Sequence, residues 1–119
     1  MYEIFTNGRW EVERENEDAF IDAWSELATW ISQQPGSRTV WLVRDVRNAG
    51  RFYSNGQWED AEAVRAFKSS PQFKERLGRV VQHTTAFEPT EHVTLKKVEN
   101  GNIQTLSPPA DLEPIHAPT

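Results

Sequence analysis

Polar and apolar residues alternate at the start of the chain: Ile4, Thr6, Gly8, Trp10 and Val12 share one parity, and Glu3, Asn7, Arg9, Glu11 and Glu13 hold the other. A period of two is that of a strand with one face in the core and one face outward. Phe5 breaks the polar parity, so the outward face is not wholly solvated. At Asn16 the period lengthens. Phe20, Trp24, Leu27 and Ile31 recur at the spacing of a helix packed along one side. Asn16 stands where a cap belongs, Glu17 and Asp18 sit at the electropositive helix start, and Pro35-Gly36 ends the element. Residues 39–46 contain Val40-Trp41-Leu42-Val43, apolar on both parities, which predicts a strand covered on both faces. Asn48-Ala49-Gly50 then turns the chain into a further strand over 51–58, giving a hairpin.

A second helical stretch opens at Asp60, with Ala61, Val64 and Phe67 on one face. Ser70-Pro71 restarts it, since serine caps and proline is tolerated at the first helical position. Phe73, Leu77, Val80 and Val81 continue the stripe. A last strand is expected over 91–98, where Val93 and Leu95 share a parity and Val98 does not. After Asn100-Gly101 come Pro108, Pro109, Pro114 and Pro118, too many prolines for a helix or a central strand. The chain therefore divides into a folded unit over 1–99 and a proline-rich tail over 100–119, expected to be extended or disordered. The order β-α-β-β-α-β, with right-handed crossovers, is an α+β arrangement: an antiparallel four-stranded sheet with its helices on one face. The other face is bare yet carries apolar residues, and a second copy of the chain is the simplest cover, which predicts a homodimer.

Composition narrows the chemistry. At 119 residues the chain suits one core, and without cysteine it has neither disulfides nor a thiolate ligand or nucleophile. No apolar run is long enough for a signal sequence or a membrane span, so a cytoplasmic protein with no membrane partner is expected. A net charge of −5 argues against nucleic acid. The one dense basic stretch, Lys74 to Arg79, is interrupted by Glu75 and Leu77. Five Trp, six Phe and two Tyr supply more flat apolar surface than so short a chain usually carries, to fill a core or to line a cavity. His83, His92 and His116 lack ligand spacing, so no metal site is expected, and there is no glycine-rich phosphate loop, nucleophile elbow or paired-carboxylate motif.

The succession Trp10, Phe20 and Trp24, Gln34-Pro35-Gly36, Leu42-Val43-Arg44-Asp45, Trp58-Glu59-Asp60 and Phe67-Lys68-Ser69-Ser70-Pro71-Gln72-Phe73 resembles the antibiotic biosynthesis monooxygenase-like family, over about residues 2 to 98. The resemblance implies a ferredoxin-like fold paired into a dimeric α/β barrel, with a pocket between sheet and helices in each subunit. It also implies one of two chemistries: oxygenation of polycyclic phenols to quinones without metal or flavin, or haem degradation. Haem degraders of the family use an asparagine, a tryptophan and a histidine at the positions that correspond here to Gly8, Phe67 and Leu77. All three differ, so haem is not expected. The quinone-forming members match at Trp58 but place an asparagine where this chain has Ser54; Asn55, one residue on, points to the opposite sheet face.

Oxygenation without a cofactor needs a substrate that donates an electron to oxygen once deprotonated, leaving the protein to bind, desolvate and remove a proton. By parity, Thr6, Gly8, Trp10, Ser54 and Trp58 face the helices, and Trp24, Phe67 and Leu77 face them from above. These are the expected pocket. Trp58 is the expected anchor for a substrate oxygen, Ser54 a polar neighbour, Gly8 a position that leaves room for a flat ring, and His83 the one histidine considered as a base. The expected function is a cofactor-free monooxygenase acting with molecular oxygen on a small aromatic or polyketide-like substrate. The alternative is a dimer of the same fold that binds a small molecule without turning it over.

Overall fold

In the computed structural model, which describes residues 2–112, the chain forms β1 (Ile4–Glu11), a 3-10 turn (Arg14–Asn16), α1 (Glu17–Ser32), β2 (Ser37–Arg44), β3 (Arg51–Trp58), α2 (Ala61–Lys68), α3 (Pro71–Val81), β4 (Ala86–Val93), β5 (Lys96–Glu99), β6 (Asn102–Thr105) and a 3-10 turn (Ala110–Leu112). The first four strands make one antiparallel sheet in the order β2-β3-β1-β4, the expected ferredoxin-like topology. Ile4, Trp10, Phe52 and Trp58 of the inner face are buried against Phe20, Leu27 and Ile31 of α1, Val64 and Phe67 of α2, and Val80 of α3. None of the described helices is long and apolar enough to cross a membrane.

The helix starts follow their local chemistry. Asp60 accepts a hydrogen bond from the Ala63 N–H at 2.9 Å, and Ser70 accepts one from Gln72, with Pro71 as the first helical residue. Asn16 does precede α1, but its side chain makes no capping bond; its backbone N–H donates to the Glu13 carbonyl in the preceding 3-10 turn. Arg44 pairs with Glu17 of α1 at 3.1 Å, while Asp45 turns back to cap the β2–β3 loop.

The carboxy-terminal third departs from expectation. The fourth strand begins at Ala86 and ends at Val93, and Val98 lies outside the main sheet. Lys96–Glu99 instead pairs with Asn102–Thr105, so the segment after Asn100-Gly101 is a hairpin arm and not the start of an extended tail. Asn100 and Gly101 both have positive φ, 50° and 79°, as a tight hairpin turn requires. Leu106, just beyond, is buried. Pro114, His116 and Pro118 lie outside the described residues.

Candidate functional site

Between the inner face of the sheet and the helices lies a cavity of about 280 Å³. Thr6, Gly8, Ser54 and Gly56 contribute its floor, Trp24, Leu27 and Ile31 of α1 one wall, and Phe67, Phe73 and Leu77 another. Phe87 and Pro89 of β4 close one side, and Lys68 and Lys74 stand on the lining as its only titratable side chains among the described residues. Lys68 is tied to Glu91 at 2.8 Å, and Lys74 is exposed. Two aromatic stacks bracket the space. At one end Trp10 lies on Phe87 with ring centroids 4.0 Å apart and leans on Phe20. At the other, Trp58 lies on Phe67 at 4.3 Å, and Phe67 meets Phe73 edge-on. Such stacks hold ring planes at fixed tilt, so the cavity is preformed.

The polar groups on the floor are few and specific. The Trp10 indole N–H donates to the Ser54 hydroxyl at 3.0 Å, and the Trp58 indole N–H donates to the Thr6 hydroxyl at 3.1 Å. Each bond runs diagonally between β1 and β3, and each lies directly above a glycine. A Cβ on Gly8 would stand 2.8 Å from the Ser54 Oγ and 2.9 Å from the Trp10 Nε1; one on Gly56 would stand 2.9 Å from the Thr6 Oγ1. A side chain at either position would collide with a hydrogen bond that the adjacent strand needs.

Of the residues expected from the sequence, Thr6, Gly8, Trp10, Trp24, Ser54, Phe67 and Leu77 are brought together on this lining. Two of the expected catalytic residues are not. Trp58 is 1% exposed, its ring is covered by Phe67, and its N–H is already taken by Thr6, so it supports the floor from behind and does not reach into the space. His83 follows the end of α3, off the cavity. Gly8 does leave room, but the room is filled by protein atoms. The lining also includes Ala28, Val40, Phe73, Phe87, Pro89 and the two lysines, which parity alone does not single out. Phe87 and Pro89 escape sequence reasoning together with the true start of β4. Leu27, Ile31 and Phe73 are legible as the apolar stripes of their helices, a pattern that serves a core and a cavity wall alike. Among the described residues no group of three or more His, Asp or Glu side chains is placed to hold a metal ion.

The sequence matches the family described as Antibiotic biosynthesis monooxygenase over residues 4–78. No curated protein matches the chain by sequence. Among solved structures, SnoaB of Streptomyces nogalater, a cofactor-independent oxygenase, superposes with a TM-score of 0.70 at 18% identity, over 77% of this chain and 92% of its own. A conserved protein of Methanosarcina mazei superposes at 0.71 with 16% identity, over 77% of this chain and 92% of its own. A conserved protein of Bacteroides thetaiotaomicron does so at 0.71 with 17% identity, over 78% and 98%. These likenesses are likenesses of fold.

Proposed function

The chain belongs to the antibiotic biosynthesis monooxygenase family, and from that premise we propose that it is an oxygenase that needs no cofactor and acts with molecular oxygen on a flat aromatic or polyketide-like small molecule. The observation that carries this reading is the cavity itself: about 280 Å³, walled by aromatic and aliphatic side chains, preformed by two ring stacks. An apolar slot of that size suits a small ring system and excludes the water that would quench a carbanion. That SnoaB is a cofactor-independent oxygenase supports the reaction class.

The chemistry asks little of the protein. An anthrone-type ring methylene loses a proton to solvent at the cavity mouth, and the resulting anion passes an electron to oxygen. The two radicals join as a carbon-bound peroxide, which takes up a proton and loses water as the new carbonyl forms. One oxygen atom ends in the quinone and the other in water. No carboxylate or imidazole lines the cavity, so the protein's contribution is to favour the ionised substrate. The Lys68 and Lys74 ammonium groups on the lining do this by making a nearby phenol or enol more acidic.

The working unit in this reading is a homodimer. Trp41, Val43 and Tyr53 are 39%, 46% and 38% exposed on the sheet face away from the helices, in adjacent register. Phe5 shares that face, and a second copy would cover the patch.

Oxygen consumption with anthrone tests the assignment. Uptake above the buffer rate, one oxygen per anthraquinone formed, is expected, with loss of that rate in Leu77→Trp, whose indole fills the cavity. Equal rates for the two proteins would overturn it. The absence of any carboxylate or imidazole on the lining favours one second reading, a binding protein without turnover; anthrone would then bind, with Leu77→Trp abolishing binding, and no oxygen would be consumed.

A further inference from the structure

Two short segments of the chain follow one pattern. Thr6-Asn7-Gly8-Arg9-Trp10 on β1 and Ser54-Asn55-Gly56-Gln57-Trp58 on β3 both read hydroxyl, Asn, Gly, long polar, Trp. The register sets them against each other around Asn7 and Asn55, with Thr6 opposite Gly56 and Gly8 opposite Ser54. A local two-fold axis between the two asparagines therefore exchanges the segments, as antiparallel pairing allows. Each half does the same thing: its tryptophan donates to the hydroxyl of the other half, over the glycine of its own half.

Both hydroxyls are on the cavity lining. Each accepts one indole N–H, and among the described residues neither donates its own hydrogen to any acceptor, whereas Ser25, Thr29, Ser32, Ser69 and Thr84 all donate theirs to main-chain carbonyls. A hydroxyl that accepts a hydrogen bond is a stronger donor, and in an apolar enclosure an unused donor is costly until something accepts from it. The glycines keep the floor between the two hydroxyls free of side chains.

We propose that Thr6 and Ser54 form a two-point donor site, and that the cavity selects flat ligands carrying two acceptor oxygens along one edge, as a hydroxyketone, quinone or phenolate does. The tryptophans orient the two hydroxyls. Cross-strand diagonal neighbours stand about 7 Å apart at their Cα atoms, with Cβ atoms closer, a spacing at which two oxygens along a fused-ring edge give each donor its own acceptor. The same two donors would stabilise negative charge on those oxygens when the ring is deprotonated. This inference rests on the cavity being the ligand site of the proposed oxygenase.

Binding of three unreactive probes, followed by quenching of tryptophan emission, separates the two claims. The probes are anthracene, anthraquinone with its oxygens on opposite edges, and 1,8-dihydroxyanthraquinone with oxygens along one edge. The dihydroxy compound should bind tightest, and Thr6→Val and Ser54→Ala should each weaken it by about five- to tenfold while leaving anthracene within twofold. Thr6→Ser, which keeps the hydroxyl, should retain wild-type affinity and guards against a loss caused by altered folding. Equal weakening for anthracene and the dihydroxy compound, or no weakening for either, overturns the donor pair while the aromatic cavity stands. Failure of all three probes to bind overturns both.

Discussion

Replacing Gly8 by alanine adds one methyl group at the most crowded point of the floor. An ideal Cβ there would stand 2.8 Å from the Ser54 Oγ, 2.9 Å from the Trp10 Nε1 and 3.0 Å from the Phe87 Cε1, against an ordinary contact of about 3.5 Å. Trp10 cannot retreat: it is 2% exposed, stacked on Phe87 and backed by Phe20. Ser54 can rotate, but only by abandoning the Trp10 N–H, which costs about 1–3 kcal/mol for a buried donor left unpaired. The residual overlap with the two rings adds about 1–3 kcal/mol, and the reduced freedom of the unfolded chain returns about 0.4–1 kcal/mol. The net expectation is a loss of about 1–5.5 kcal/mol, or about 0.5–3 M in the urea midpoint for an m-value near 2 kcal/mol/M. Protein concentration must be held constant, because the stability of the proposed dimer would depend on it. Gly78 supplies the control. It lies in the exposed face of α3, where a Cβ would meet nothing within 4 Å, so alanine there should stabilise by about 0.5–1 kcal/mol. In a Ser54→Ala background the cost of Gly8→Ala should fall by about 1–2 kcal/mol, since the hydrogen bond is already gone. A Gly8→Ala midpoint within 0.3 M of wild type, a difference of about 0.6 kcal/mol at that m-value, would refute the account of the floor.

Trp41→Glu places a carboxylate on the outer face of β2, and its unpaired burial in a dimer should weaken association by about a hundredfold, some 3 kcal/mol. Sedimentation velocity at micromolar concentration should show wild type as a dimer and the variant as a monomer; a monomeric wild type removes the assembly claim. Asp45 accepts from the backbone N–H of Arg47 at 2.8 Å and of Asn48 at 3.0 Å, and the Arg47 bond, aided by the Asn48 side chain, holds its carboxyl below the usual range. A depressed value means that its stabilising effect is complete above the ordinary carboxylate value near 4 and fades as pH falls below it. Asp45→Ala should therefore lower the urea midpoint at pH 7 and lower it less at pH 3; a gap that widens on acidification contradicts the capping role.

How far the molecule can be read from its residues differs from element to element, for physical reasons. The alternation of Ile4, Thr6, Gly8, Trp10 and Val12 puts the right side chains inward because a period of two leaves no other choice. Parity says which face a residue occupies but not which atom its polar group meets. It therefore places Trp58 on the correct face and leaves its task open; a diagonal partner, Thr6, holds the N–H that an anchoring role would need. The repeated segments carry that information: a hydroxyl, a glycine and a tryptophan at matching spacings on two strands that pair. The start of β4 is hidden by Pro89, which reads as a strand breaker. An edge strand tolerates proline because one side of its backbone needs no partner, and β4 is the edge of the sheet. Asn100-Gly101 reads as a stop beside the prolines that follow it, although the same dipeptide is among the strongest hairpin signals.

The central row of the sheet joins the two halves of the functional reading. Thr6, Asn7 and Gly8 of β1 and Ser54, Asn55 and Gly56 of β3 all lie on the cavity lining, and strand alternation turns the asparagine side chains to the face opposite the two hydroxyls. The Oδ1 atoms of Asn7 and Asn55 are shielded from solvent and have no partner among the described residues, an arrangement that costs free energy. Any contact that fixes the two asparagines also fixes the backbone at the point where the two hydroxyls are aimed, since adjacent residues share the same short stretch of strand. Association and ligand selection should then be coupled through β1 and β3. Trp41→Glu, although on the face opposite the cavity, should weaken binding of 1,8-dihydroxyanthraquinone more than binding of anthracene, because only the former depends on how the hydroxyls are held. Equal affinities in monomer and dimer would show that the donor pair is set by the tryptophans alone.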